Sequence, residues 1–181
     1  MKPSRRTLGL VTAALLAFGA AGLAVADSDD DDDNVAPVTN ATYAEECGAC
    51  HMAYQPGLLP AAAWQQIMRA EALVDHYGDD ASLSDDVRAE LTAYLSANSA
   101  GHASRTRAFA VRDVGGVKLP RITETRNFVK EHDEIPARMV ADNPDVGSFS
   151  NCNACHQGAA EGVYDEDRVK IPGFGRWDDY G

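Results

Sequence analysis

Apolar positions along the chain fall into short stretches with helical spacing. Trp64, Met68, Ala72 and His76 recur every four residues and share one face. They predict a helix opened by Pro60 and running to about Gly78. Val87, Leu91, Tyr94 and Leu95 make a second stripe. Ser84 is placed to cap that helix, with Asp85 and Asp86 near its positive end. Phe128 and His132 lie one turn apart in a helix expected over Thr123 to His132. Two shorter helices are expected elsewhere. One follows the capping box Thr42-Tyr43-Ala44-Glu45 and is broken at Gln55-Pro56-Gly57. The other is capped by Ser148 or Ser150 and ended by Gly158. Pro136 and Pro144 interrupt the stretch from Asp133 to Gly147. Asn98 to about Lys118 reads as a linker with a Gly115-Gly116 turn. No strand pair stands out, so the pattern predicts a mainly α protein.

The ends of the chain and its charge modify this picture. Lys2, Arg5 and Arg6 precede an apolar run from Leu8 to Leu23 and the small residues Ala24-Val25-Ala26. This is the layout of a secretory leader cleaved after Ala26. The run is short for a membrane-spanning helix, and no later segment is apolar enough to span a bilayer. Loss of Lys2, Arg5 and Arg6 moves the net charge from −12 to −15. Asp29 to Asp33 form an unbroken acidic run, which predicts a self-repelling tail over 27–41. It does not match a calcium loop, because Asn34 and Asn40 stand where Gly and Glu are needed. Residues 27–102 carry 15 acids against 2 bases, whereas 103–138 carry 5 acids against 8 bases. Such an acidic chain repels phosphates, which excludes nucleic acid as a natural partner. A basic protein would instead be steered toward the acidic part.

The chemistry is concentrated in two copies of one motif, Cys47-Gly48-Ala49-Cys50-His51 and Cys152-Asn153-Ala154-Cys155-His156. These motifs hold every cysteine in the chain. Cys-X-X-Cys-His is the attachment signature of c-type haem. Each cysteine would form a thioether to a haem vinyl group, and the adjacent histidine would bind the iron. Disulfides within such short loops would be strained. Zinc sites of paired Cys-X-X-Cys usually place the pairs about 15–20 residues apart, and neither alternative calls for the two histidines. The reading is therefore two covalently bound c-type haems, with Cys47, Cys50, Cys152 and Cys155 as attachment points and His51 and His156 as proximal ligands. A mature chain of roughly 155 residues suits one body or two small lobes. Each half is too small for a generous side-chain core, so a flat, apolar haem would complete it.

The opposite face of each iron needs a ligand. His76 is the candidate for the first haem, because it ends an apolar stripe on a helix about 24 Å long. Met68 shares that stripe but reads as packing beside Trp64. His132 is the candidate for the second haem, with Met139 as runner-up. His102 sits in a flexible polar setting, and Met52 is too close to His51 to reach the other face. Which haem each of His76 and His132 serves stays open. Arg105, Arg107, Arg112, Lys118, Arg121, Arg126, Lys130 and Arg138 include candidate propionate partners. Phe174, Trp177 and Tyr180 are candidates to cover a haem edge.

Four segments resemble the small periplasmic dihaem cytochromes c known as DHC. They are Glu46 to Met68, Asp75 to Asp86, Arg121 to Met139 and Val146 to Gly173. The stretches Asp75-His76-Tyr77-Gly78-Asp79 and Glu131-His132-Asp133-Glu134-Ile135-Pro136 make the likeness more specific than the haem motifs alone. The stretch Ala70 to Val74 and the aspartate run depart from the family pattern. The resemblance implies two small helical cytochrome c-like lobes, 42–104 and 105–181, each built around one bis-histidine haem. It further implies a periplasmic electron carrier. Its partners would be redox proteins: a small oxygen-binding monohaem c-type cytochrome as acceptor, and membrane b-type cytochromes as donors. A non-enzymatic role follows if both irons are closed on both faces. The rivals are a dihaem peroxidase or oxidase-like enzyme, which needs one open iron site, and a haem-based sensor, for which no output domain is evident.

Overall fold

The computed structural model describes residues 34–100 and 119–177. The leader, the aspartate run, His102, Arg105, Arg107, Arg112, Gly115-Gly116, Lys118 and Tyr180 lie outside the described residues. Helix α1 spans Ala41–Gly48. It starts at Asn40 rather than at the expected Thr42. The Asn40 side-chain oxygen accepts from the Tyr43 amide at 2.7 Å, and its amide donates to Glu90 at 3.0 Å. One residue thus caps the helix and ties it to the rest of the N-terminal half.

The helix expected from Pro60 to Gly78 is broken. Helix α2 covers Ala61–Ile67 and α3 covers Ala70–Leu73, with Arg69 extended between them. Ala72 and the adjacent Leu73 on α3 are both buried. Trp64 anchors α2 by donating from its indole to the Pro56 carbonyl at 2.7 Å. Helix α4, Asp85–Ala97, is as expected: Ser84 caps it, and Leu91 and Leu95 are fully buried.

In the C-terminal half, a 3-10 turn at Ile122–Glu124 precedes α5, Arg126–His132, so the single helix expected from Thr123 is divided. Thr125 divides it: its hydroxyl donates to the Ile122 carbonyl and accepts from the Phe128 amide. Helix α6 is only Cys152–Cys155 and has no side-chain cap; Asn151, not Ser148 or Ser150, precedes it. It ends at His156 rather than Gly158, which instead opens a 3-10 turn over Ala159–Glu161. Strands β1, Lys170–Ile171, and β2, Gly175–Arg176, pair antiparallel, with Lys170 opposite Arg176. Two-residue strands are too short for apolar alternation to reveal them.

Two apolar clusters result. The first joins α1, α2, α3 and α4 through Tyr43, Leu59, Trp64, Ile67, Met68, Leu73, Leu91 and Leu95. The second is smaller and consists of Met139, Val140, Val146, Val169 and Ile171, with Phe149, Phe174 and Trp177 packed on it. Met68 and Met139 thus both serve as core side chains. The described residues fall in a single compact unit.

Candidate haem-binding sites

The two motifs are presented differently. Cys47 lies in the last turn of α1, and Cys50 and His51 follow in the turn beyond it. The second motif is a helical turn from end to end, closed by the His156 amide donating to the Cys152 carbonyl at 2.8 Å. None of the four cysteines is paired in a disulfide. Among the described residues, no group of three or more His, Cys, Asp or Glu gathers to hold a metal ion. The two motifs therefore do not come together as a four-thiolate zinc cluster among the described residues. Burial pushes the Cys47 thiol up to about 11, with Glu46 adding to it, and burial pushes Cys152 up to about 11 as well.

His76 does not end a helix. It opens a two-residue turn in which the His76 amide donates to the Asp79 carbonyl at 2.7 Å and the Asp79 amide returns to His76 at 3.3 Å. Tyr77 and Gly78 occupy the turn at φ 58° and 113°. Positive φ at both central positions is the demand of a tight hairpin turn, and it is costly for tyrosine. Tyr77 is held there by donating its hydroxyl to the Pro120 carbonyl and by the Arg121 guanidinium 4.3 Å above its ring.

This turn brings His76 to His51. Their ring centroids are 6.4 Å apart with planes 22° from parallel. In the other half, α5 brings His132 to His156, with centroids 6.1 Å apart and planes at 55°. Two imidazole nitrogens, each about 2.0–2.1 Å from one metal ion on opposite sides, put ring centroids about 6 Å apart. Both pairs therefore have the spacing of imidazoles flanking one iron. His51 donates from Nδ1 to the Met52 carbonyl at 2.7 Å, and His132 donates from Nδ1 to the Phe128 carbonyl at 2.9 Å. Such bonds fix the tautomer that leaves the Nε2 lone pair for a metal. The Nδ1 atoms of His76 and His156 are buried without a partner among the described residues. Orphaned buried nitrogens of this kind mark a functional site more than a solvated surface.

Electrostatics favour the neutral, ligating form of these rings. Burial lowers the His76 pKa, assisted by His51 and opposed by Asp79. Burial also lowers His132, against the Phe128 hydrogen bond. His156 falls to about 4, through burial and then the neighbouring His132.

Aromatic side chains enclose each pair. Tyr54 stacks on His51 at 4.9 Å and Tyr77 meets His76 edge-on at 4.7 Å. Phe128 stacks on His132 at 3.9 Å, Phe149 meets it edge-on, and Tyr164 meets His156 at 5.4 Å. A groove of about 540 Å³ opens alongside, lined in part by Arg121, Glu124, Val140, Phe149 and Ser150. These residues fit a flat, mostly apolar group with charged edges. Sequence reasoning passed over Tyr54, Tyr164 and Phe149. Their position near a motif, three residues after His51, eight after His156 and three before Cys152, was the available signal.

A model of the dihaem cytochrome c family matches residues 43–164. Among solved structures, the chain is 47% identical to a diheme cytochrome c from Shewanella baltica OS155, covering 77% of this chain and 98% of that one, with a TM-score of 0.64. It is 40% identical to DHC purified from Rhodobacter sphaeroides, covering 71% and 99%, with a TM-score of 0.55. It is 39% identical to a second structure of a diheme cytochrome c from that organism, covering 72% and 100%, with a TM-score of 0.59. No curated protein sequence matches the chain. Among the described residues, no helix is long and apolar enough to cross a membrane. The paired motifs, the mainly helical fold and this likeness lead to one conclusion: the chain belongs to the dihaem cytochrome c family and is an electron-transfer protein with two haem cofactors.

Proposed function

We propose that this protein is a periplasmic electron carrier with bis-histidine ligation at both haems. Cys47, Cys50 and the pair His51/His76 hold the first haem; Cys152, Cys155 and the pair His132/His156 hold the second. The two pairs of imidazoles at 6.4 and 6.1 Å carry this reading. It assigns His76 to the first haem and His132 to the second, and it leaves Met139 in the core. Iron in such a site supplies reversible one-electron chemistry, and imidazole in place of methionine keeps its potential low. The residues of the chain orient the ligands, exclude water with aromatic rings, and leave no coordination position for a substrate. Arg121, in the groove beside Tyr77, is the cation best placed for a propionate.

In this reading the lobes are 42–104 and 105–181, preceded by a leader cleaved after Ala26 and an acidic stretch. The tail expected over 27–41 is cut short, because from Val35 onward the chain is bonded into the fold, the Val35 amide to Gly162 and the Thr39 amide to Tyr94, and Ala41 already belongs to α1. The acidic surface of the first lobe steers a basic redox protein. The partner classes are another c-type cytochrome as acceptor and a membrane b-type cytochrome as donor.

Low-temperature electron paramagnetic resonance on the oxidised protein tests the ligands, and carbon monoxide tests the closed irons. Two low-spin bis-imidazole signals and no carbon monoxide binding by the reduced protein are expected. Prompt stoichiometric binding would support the peroxidase-like alternative instead.

A further inference from the structure

The two histidine pairs are joined by a small set of side chains that neither the haem motifs nor the ligand assignments require. Tyr54 stacks on His51 and donates its hydroxyl to the Ser150 carbonyl at 2.7 Å, two residues before Cys152. Tyr164 packs on His156 and donates its hydroxyl to the Gln55 side-chain oxygen at 2.7 Å. Each tyrosine therefore lies against the motif histidine of its own half and bonds to the other half. Gln55 completes the connection. It is fully buried, and its amide donates to the carbonyls of Ala159 at 2.6 Å and Ala160 at 3.3 Å. A buried amide with both ends satisfied is costly to disconnect, because each freed group stays away from water.

The backbone reinforces this seam. The Val35 amide donates to the Gly162 carbonyl at 2.8 Å. A Cβ at Gly162, which sits at φ 82°, would run into the Val35 carbonyl, and one at Gly57 would meet the Val35 side chain. The N-terminal segment is thus threaded between a glycine of each half.

We propose that Tyr54, Gln55 and Tyr164 are positioning residues that fix the two motif histidines relative to each other, and so set the rate of electron exchange between the two sites. This rests on the reading of His51 and His156 as iron ligands. In the exchange, one site loses an electron and the other gains it, with no proton or bond change. The first electron comes from a redox partner, for which a photoreductant substitutes in the test.

The experiment uses the mature dihaem protein carrying Tyr54→Phe, Tyr164→Phe or Gln55→Leu, with Tyr94→Phe as control. The Tyr94 hydroxyl accepts from the Thr39 amide and does not reach the C-terminal half. Flash reduction by one electron, followed by the optical relaxation between haems, gives the exchange rate. Hydrogen exchange reports seam opening. Loss of one hydrogen bond is expected to raise opening roughly fivefold in Tyr54→Phe and Tyr164→Phe, with electron exchange slowed several-fold and haem spectra unchanged. Gln55→Leu should slow it more than either. Tyr94→Phe should lower the melting temperature by a similar amount while leaving exchange at the wild-type rate. The proposal is overturned if Tyr54→Phe and Tyr164→Phe exchange electrons at the wild-type rate, or if Tyr94→Phe slows exchange equally. Gln55→Glu sets an acceptor against the Ala159 and Ala160 carbonyls in a fully buried position, so it should slow exchange at least as much as Gln55→Leu; wild-type exchange in either variant counts against positioning. Resonance spectra of the unaltered protein test the ligand reading separately, so its failure is distinguishable from failure of the seam.

Discussion

The two halves solve the same problem with unequal means. The N-terminal half holds its histidine pair on a helical core, with α1 capped by Asn40 and α4 thirteen residues long, packed through fully buried Leu91 and Leu95. The C-terminal half has five buried apolar residues in its cluster, a four-residue α6 and several 3-10 turns. A small cluster cannot offset the entropy of ordering so many irregular residues. The difference teaches that the C-terminal half leans more on its cofactor than the N-terminal half does. The aromatic shells differ in part. Tyr54 and Tyr77 around the first pair both carry hydrogen bonds to protein carbonyls. Around the second pair, Phe128 and Phe149 offer His132 only apolar surface, while Tyr164 against His156 bonds to the Gln55 side chain.

The strongest way to break this comparison is to prevent haem attachment in one half at a time. Cys152→Ser/Cys155→Ser is expected to abolish hydrogen-exchange protection across residues 126–171. Cys47→Ser/Cys50→Ser is expected to leave measurable protection in α4. Equal losses would remove the asymmetry. A core truncation probes the same point more gently. Leu91→Ala should destabilise the protein by about 2–5 kcal/mol in chemical denaturation, and the loss should be shared by both haem signals if the seam couples the halves.

The ligands permit a sharper test. His76→Met and His132→Met should each raise the potential of one haem and leave the other unchanged, as read by spectroelectrochemistry. The ring planes add a distinction. Near-parallel rings at 22° split the iron orbitals more than rings at 55°. The second site is therefore expected to show the larger g anisotropy at low temperature. At the small end, Asn40→Ala should cost about 1 kcal/mol through loss of the α1 cap. Association with a basic redox partner should slow as salt rises, since exposed charges are screened beyond about 10 Å at 0.1 M.

How much was legible varies with the range of the interactions involved. Helix α4 was readable to its cap, because Ser84, Asp85, Asp86 and the stripe through Leu95 act within a few turns of chain. The Phe128–His132 face was readable for the same reason. The helix to His76 was not. The positions at its four-residue spacing are buried through Ala72, but the chain leaves helical geometry at Arg69, so the spacing does not carry on to His76. His76 then reaches His51 by a turn that depends on Pro120 and Arg121, more than forty residues away. The short β pair and the start of α6 were hidden because neither carries a repeating pattern.

Local covalent chemistry and periodicity were therefore enough, from the residues alone, to call for two haems, a mainly helical chain and four histidines. Those features depend on neighbours in sequence. Which histidine faces which, and how the two pairs are joined, was decided only by the folded chain. Gln55, Tyr54 and Tyr164 meet partners about a hundred residues distant, and no spacing along the chain encodes a contact that packing alone creates.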